Sequence, residues 1–204
     1  MLVEAVLRHK RAFDEALTNA DTIAKFNELS SRDRAFARLI AATVLRHERS
    51  LTVVLDKFLQ KPLKTTDSPL APVLLVGAAQ ILILETPPHA AINLAVEQCR
   101  ARRTTQRFDK LVNAVLRRVS ENGAEIYNGL DHVRLAMPDW LWSRWVENYG
   151  EDETRAMVTA ALAVPPIDLS VKDDAAGWAE KLAGTVLPTG TVRLAGGGRI
   201  EELA

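Results

Sequence analysis

Cysteine is almost absent from this chain of 204 residues, and its scarcity excludes several classes of protein. The one cysteine, Cys99, cannot form an intramolecular disulfide or supply a zinc site built from several thiolates. Cys99 follows Ile92 and Val96 at helical spacing, which predicts an inert thiol facing the core and not a reactive nucleophile. A free thiol, in a chain whose first residues lack the apolar core of a signal peptide, predicts a cytoplasmic protein.

Long apolar runs and catalytic motifs are also missing. The longest apolar stretch, residues 70–84, includes Gln80 and falls short of the ~20 residues that cross a bilayer, so it predicts a buried central helix and no membrane partner. No GxSxG, P-loop or GxGxxG motif occurs, and the glycines at 196–198 are predicted to form a plain loop. The histidines lack metal-ligand spacing; they are His9, His47, His89 and His132. The residues alone therefore reveal no catalytic site and no metal site.

Helical periodicity is strongest between Leu70 and Val119, where the sequence predicts three consecutive helices. The last of them has one continuous apolar face, formed by Phe108, Leu111, Val112, Val115, Leu116 and Val119. Gly77, in the middle of the first, costs about 1 kcal/mol relative to alanine, which predicts close contact with another helix. Asn93 and Asn113 lie among apolar positions and are predicted to be buried amides that fix the arrangement of the helices.

The remainder of residues 1–123 also reads as helical. One helix is predicted over residues 3–17, followed by a connector over 19–29, and Ser30 with Asp33 forms a capping box for the next. That helix is predicted to bury Phe36, Leu39, Ile40, Thr43 and Val44. Ser50 is the predicted cap of a helix over 51–59, and Gly123 the predicted end of the last helix. Residues 1–123 thus predict an all-α bundle of about six helices around the apolar one.

The character of the sequence changes after Gly123. Residues 124–164 predict a helical linker in which Gly150 ends one helix and the acidic residues 151–153 begin another. Residues 165–204 predict the beginning of a small α/β subdomain, with strands at 167–171 and 191–194 around a helix at 175–183. The predicted fold class is therefore mainly α, a helical bundle followed by a helical linker and a β-α-β start.

Positive charge is concentrated in the first part of the chain. Residues 1–120 hold 19 Lys or Arg against 12 Asp or Glu, a net charge of +7, whereas residues 121–204 hold 7 against 14, a net charge of −7. This asymmetry favours a polyanion as partner of the first part, because arginine binds two phosphate oxygens at once. The predicted RNA-binding residues are Arg100, Arg102, Arg103, Arg107, Lys110, Arg117 and Arg118, with Arg34 and Arg38. A solvated helix face with local ion pairs to Asp33, Glu97 and Asp109 is the alternative.

Several segments, in their order along the chain, resemble one family. DRAFARLIAATVLRH at residues 33–47, LLVGAAQILIL at 74–84, PHAAINLAVE at 88–97 and KLVNAVLRRV at 110–119 look like successive helices of a NusB-like fold. PDWLWSRWVENYG at 138–150 and PPIDLSVK at 165–172 are similar to the linker and first strand that follow it in RsmB/Sun-type 16S rRNA cytosine-5 methyltransferases. The resemblance implies an RNA-binding N-terminal part of such an enzyme, with 16S rRNA as partner and no DNA.

The catalytic equipment of that family is not expected in this chain. The resemblance places the S-adenosylmethionine site and two catalytic cysteines in a later domain, and Cys99 matches neither cysteine. We therefore expect no catalytic and no cofactor-binding residue here, no enzymatic activity of this chain alone, and a fragment whose parent begins upstream of Met1. The alternatives are a free-standing NusB-like antitermination factor, which would bind RNA with a ribosomal protein, and a helical protein-interaction module. Residues 138–204 favour the methyltransferase, because a stand-alone factor would end soon after the bundle.

Overall fold

In the computed structural model, residues 1–194 are described, and the chain divides into two compact units, residues 1–155 and residues 156–204. The helices of the first unit are α1 (Leu2–Leu7), α2 (Phe13–Thr18), α3 (Ala20–Asn27), α4 (Ser31–Arg46), α5 (Glu48–Asp56), α6 (Ala71–Leu82), α7 (Pro88–Arg100), α8 (Asp109–Asn128), α9 (His132–Leu135) and α10 (Asp139–Tyr149). Helix α11 (Glu151–Leu162) contains the boundary between the units. The second unit has α12 (Ala175–Lys181) and strands β1 (Asp168–Leu169), β2 (Gly184–Val186) and β3 (Val192–Leu194). The predicted mainly α fold class is confirmed.

Helix α6 forms the centre of the bundle, as predicted. Every residue from Ala71 to Gln80 except Val76 is buried, because α4, α5, α7 and α8 all pack against this one helix. The predicted close approach at Gly77 is also confirmed, since a Cβ atom there would lie 2.6 Å from Cδ1 of Leu116 in α8. An all-apolar helix is stable in water only when neighbours cover its whole circumference, which is the arrangement seen here.

Helix α8 runs past the end predicted for it. Gly123 is buried within the helix, where a Cβ atom would lie 3.1 Å from Cγ1 of Val119 and 3.2 Å from Cδ2 of Leu82 in α6. The helix ends at Asn128 with Gly129 as its cap, so the predicted end at Gly123 is wrong. Glycine serves at this position as the residue small enough for close helix contact and does not break the helix.

The N-terminal helices also differ from their prediction. The helix expected over residues 3–17 is two helices, α1 and α2, because Lys10 adopts a left-handed conformation with φ of 56°. The expected connector contains α3, whose first turn is capped by the Asn19 side chain accepting from the backbone N–H of Asp21 at 3.1 Å. The capping box of α4 is confirmed, since the N–H of Asp33 donates to Oγ of Ser30 at 3.1 Å.

Four further side-chain predictions are wrong. Ser50 does not cap α5 but lies buried within it, where its Oγ is 3.0 Å from Nδ1 of His132. Phe36 and Leu39 are each 43% exposed, because α4 contacts its neighbours α1 and α6 through only a narrow face. The side chains of Asn93 and Asn113, predicted to be buried, are exposed on the outer faces of α7 and α8. Leu111, predicted to belong to the continuous apolar face of the last bundle helix, is 41% exposed.

The second unit contains an antiparallel three-stranded sheet in the order β1-β3-β2. Leu169 of β1 lies opposite Val192 of β3, and α12 packs against β2 and β3. The helix and the two predicted strands are present, and β2 was not foreseen because its three residues carry no alternating pattern. The glycines at 196–198 lie outside the described residues. The domain bounds proposed at 123 and 164 stay predictions.

Candidate nucleic-acid interface

A hydrogen-bonded corner joins α7 to α8 and carries three of the predicted cationic residues, Arg102, Arg103 and Arg107. Residues 101–108 form this corner around Thr105, which is fully buried. The Thr105 hydroxyl donates to the carbonyl oxygen of Cys99 at 2.8 Å, and the Cys99 thiol donates to the carbonyl oxygen of Thr105 at 3.0 Å. These reciprocal bonds link the last turn of α7 to the corner.

The predicted core position of Cys99 is confirmed. Its side chain is fully buried, and burial raises the pKa of the thiol above its usual value. A buried, protonated thiol is a poor nucleophile. In the part of the chain that the structure describes, no group of three or more His, Cys, Asp and Glu side chains could hold a metal ion.

Some predicted RNA-binding residues are already held by acceptors of the protein. Arg100 lies 2.9 Å from Oδ2 of Asp109, and the hydrogen bond from Arg100 lowers the pKa of that carboxyl. Arg34 donates to the carbonyl oxygens of Phe26 at 3.3 Å and Leu29 at 3.1 Å, which ties α4 to the end of α3. Arg100 therefore forms a local ion pair of the kind named in the alternative interpretation. Arg34 stabilises the contact between α3 and α4.

Glu4 holds Arg102 and was not foreseen as a partner. Its Oε2 lies 2.6 Å from Nη1 of Arg102, and its Oε1 lies 2.8 Å from Nη1 of Arg8. Burial alone would raise the pKa of Glu4, but the hydrogen bond and charge of Arg102 outweigh it, so the pKa lies below its usual value. Glu4 and Arg102 are 98 positions apart, so no local pattern could have indicated their contact.

Five of the predicted residues remain exposed around the corner and along α8, and we call them the cationic strip: Arg103, Arg107, Lys110, Arg117 and Arg118. Within residues 1–194 none of these five side chains has an acidic partner. Arg107 instead lies over the ring of Phe108, with its guanidinium carbon 4.8 Å from the ring centroid. The strip therefore carries about five positive charges with no neutralising carboxylate of the described chain bound to them.

Arg38 is exposed on a different helix from the strip. Helix α4 packs against α1, α5 and α6, whereas α8 packs against α5, α6 and α7. The five residues of the cationic strip thus lie on the corner and on α8, whereas Arg34 and Arg38 lie on α4. A positive surface follows one helix and the corner before it.

A second polar cluster lies where α9 meets α5 and α8. The hydroxyl of Tyr127 is 3.2 Å from Nδ1 of His47, and the rings of Tyr127 and His132 lie 4.3 Å apart between centroids. Burial, then the neighbouring charges of His132 and Arg46, lower the pKa of His47. Each imidazole is half-buried and lies within hydrogen-bond distance of a hydroxyl oxygen.

The indole of Trp142 organises the segment that follows the bundle. The guanidinium carbons of Arg134 and Arg155 lie 5.0 Å and 5.5 Å from its ring centroid, within the range of cation–π attraction. Arg155 also lies 2.7 Å from Oδ2 of Asp131, and the hydrogen bond from Arg155 lowers the pKa of Asp131 to about 2. The sequence indicated the tryptophans as helical residues but not these partners.

No helix among residues 1–194 has the length and apolarity needed to cross a bilayer.

Comparisons with known proteins find that this chain is similar to one protein family and to named rRNA methyltransferases. The profile of the NusB family matches residues 1–121. Proteins named ribosomal RNA small subunit methyltransferase B are similar to the chain: that of Pseudomonas putida is 31% identical over 77% of this chain and 36% of its own length. The corresponding protein of Xylella fastidiosa (strain Temecula1) is 34% identical over 69% of this chain and 31% of its own length. The chain spans about a third of the length of these curated relatives.

Proposed function

The chain belongs to the NusB family, and from this premise we propose that it is the RNA-binding part of an rRNA small-subunit methyltransferase. Its role would be to hold 16S rRNA so that a catalytic domain can methylate a cytosine at carbon 5. The observation that carries the proposal is the cationic strip, in which five exposed basic side chains between positions 103 and 118 have no acidic partners in the described chain. Phosphate contacts of this kind position a protein on RNA without reading its sequence.

Methyl transfer itself is proposed to belong to another part of the parent protein. The family resemblance assigns S-adenosylmethionine and two catalytic cysteines to a later domain. Cys99 does not meet the requirements of a nucleophile, because its thiol is buried and hydrogen-bonded to Thr105. We expect this chain, mixed with unmethylated 16S rRNA and labelled S-adenosylmethionine, to transfer no methyl group. Measurable incorporation would contradict the division of labour proposed here.

The free-standing antitermination factor stays the second candidate. Such a factor would be complete with the bundle and would bind RNA together with a ribosomal protein. In this chain, however, ordered structure continues past residue 121 through α9–α12 and a three-stranded sheet. The match to the Pseudomonas putida methyltransferase likewise extends over 160 residues. Both observations favour the methyltransferase.

The cationic strip can be tested by charge reversal with a matched control. In Arg103→Glu/Arg107→Glu, we expect weaker binding to 16S rRNA and a salt slope, d log K/d log [salt], that is flatter by roughly one unit per lost contact. Both side chains are exposed, so the circular dichroism spectrum should not change. Lys61→Glu/Lys64→Glu alters the same number of charges on the loop between α5 and α6 and should bind like the parent. Equal affinity of the Arg103/Arg107 variant and the parent at low salt would refute the proposed interface.

A further inference from the structure

The cationic strip also indicates which form of RNA it binds. Resting on the proposed RNA-binding function, we propose that the strip binds the sugar–phosphate backbone of base-paired RNA and not unpaired nucleotides. Two observations carry this inference: the position of Lys110 and Arg117 on the same side of α8, two turns apart, and the absence from the strip, within residues 1–194, of a free aromatic ring on which a base could stack.

Two charges of the strip follow the axis of α8. Lys110 and Arg117 are seven residues apart, which is close to two turns, so they project from the same side of α8 about 10 Å from each other. Asn113 and Ala114 lie between them on the exposed side, and both side chains are short. Arg103 and Arg107 extend the charge beyond the first turn of the helix. A regular polyanion can therefore lie along the strip and contact several of its residues at once.

Free aromatic rings are missing from this surface within residues 1–194. Proteins that bind unpaired RNA stack bases on exposed aromatic rings and on arginine guanidinium planes, and the strip offers only the second of these. The aromatic residue of the corner, Phe108, is partly buried and has the Arg107 guanidinium over its ring. In α8, Tyr127 is buried, and the exposed aromatic side chains of the described chain include Phe36 on α4 and Trp140 on α10. The strip thus offers charge without ring faces, which suits an RNA whose bases are already paired and stacked on one another.

The number of free charges sets the size of the expected effects. If all five side chains contact phosphates, the magnitude of the salt slope is about 4.5 with the coefficient for a duplex and about 3.5 with that for a single strand. The duplex also presents twice as many phosphates per unit length along the strip. The two slopes differ by about one unit, so we expect the preference for the duplex to grow about tenfold for each tenfold reduction in salt concentration.

The experiment compares one RNA in two forms. A 20-base-pair RNA duplex and each of its strands, chosen to lack internal pairing, are titrated with the full chain at several salt concentrations, with 16S rRNA as reference. Lys110→Gln/Arg117→Gln neutralises the axis of the strip, and Lys61→Gln/Lys64→Gln is the matched control. The inference expects preference for the duplex, loss of most of that preference in the Lys110/Arg117 variant, and no loss in the control.

The possible results separate the inference from the function on which it rests. Equal or tighter binding of the single strands would overturn the inference and leave RNA binding intact. A preference for the duplex that survives in the Lys110/Arg117 variant would place the binding elsewhere and also overturn it. Failure of the chain to bind the duplex, the strands and 16S rRNA alike would instead overturn the proposed function.

Discussion

Replacement of Gly77 by alanine tests the central contact of the bundle. The Cβ atom that this substitution adds would lie 2.6 Å from Cδ1 and 3.1 Å from Cδ2 of Leu116, closer than carbon atoms approach without displacement. Leu116 is fully buried, so its side chain can make room only by moving against neighbouring residues of the core. The substitution therefore tests whether glycine is present at this position for close contact between α6 and α8.

Two opposing effects determine the change in the free energy of unfolding. Alanine gains about 1 kcal/mol over glycine inside a helix because it restricts the unfolded chain more. Overpacking a core costs about 1–3 kcal/mol, because neighbouring side chains leave their preferred rotamers. We expect Gly77→Ala to be destabilised by about 1 kcal/mol as the net result. Leu116→Ala alone should cost about 2–5 kcal/mol, because it leaves a cavity.

A double-mutant cycle measured by urea unfolding, followed by far-UV circular dichroism, isolates the contact. In Gly77→Ala/Leu116→Ala the new methyl group occupies part of the cavity, so the double variant should lose about 1–2 kcal/mol less than the sum of the single variants. Gly129→Ala is the control, since a Cβ atom there would lie 3.5 Å from its nearest neighbour and should change stability by less than about 0.5 kcal/mol. Stabilisation by Gly77→Ala, together with strict additivity, would refute the reasoning.

Three further predictions concern titration and reactivity. The pKa of His47 is lowered in the folded chain, so the unfolded chain binds the proton more readily and stability should fall as pH drops below about 6.5. Urea unfolding at several pH values measures this loss, and His47→Gln should reduce it. Because the pKa of Asp131 is about 2, its contribution to the stability of the fold is present above pH 3.8 and lost as pH falls towards 2. An NMR titration of the carboxyl group measures this pKa, and an ordinary value would contradict the Arg155 contact. Cys99 should react with a thiol reagent only after unfolding, and rapid reaction of the native chain would contradict its burial.

Local and periodic features of the fold could be predicted from the sequence. The apolar residues of α6 leave no polar face, so their burial at the centre of the bundle follows from the hydrophobic effect alone. The capping box at Ser30 and the helix end at Gly150, where φ is 83°, depend on residues within one turn. The corner cations could be foreseen as a group because seven of them lie between positions 100 and 118.

Contacts between residues far apart in the chain could not be predicted in this way. Gly123 reads as a helix end, yet it lies inside α8, where Leu82 of another helix lies close to its backbone. Asn93 and Asn113 read as buried, yet both face solvent because each helix buries only the side turned towards its neighbours.

The same division holds for the candidate interface. The density of arginine in the sequence is enough to establish that the corner between α7 and α8 is strongly basic. The folded chain then determines that Glu4 and Asp109 neutralise Arg102 and Arg100, while the cationic strip stays free of acidic partners within residues 1–194. The physical reason is that an ion pair depends on distance in space, and folding brings together two charges, on α1 and at the corner after α7, that the chain separates by 98 positions.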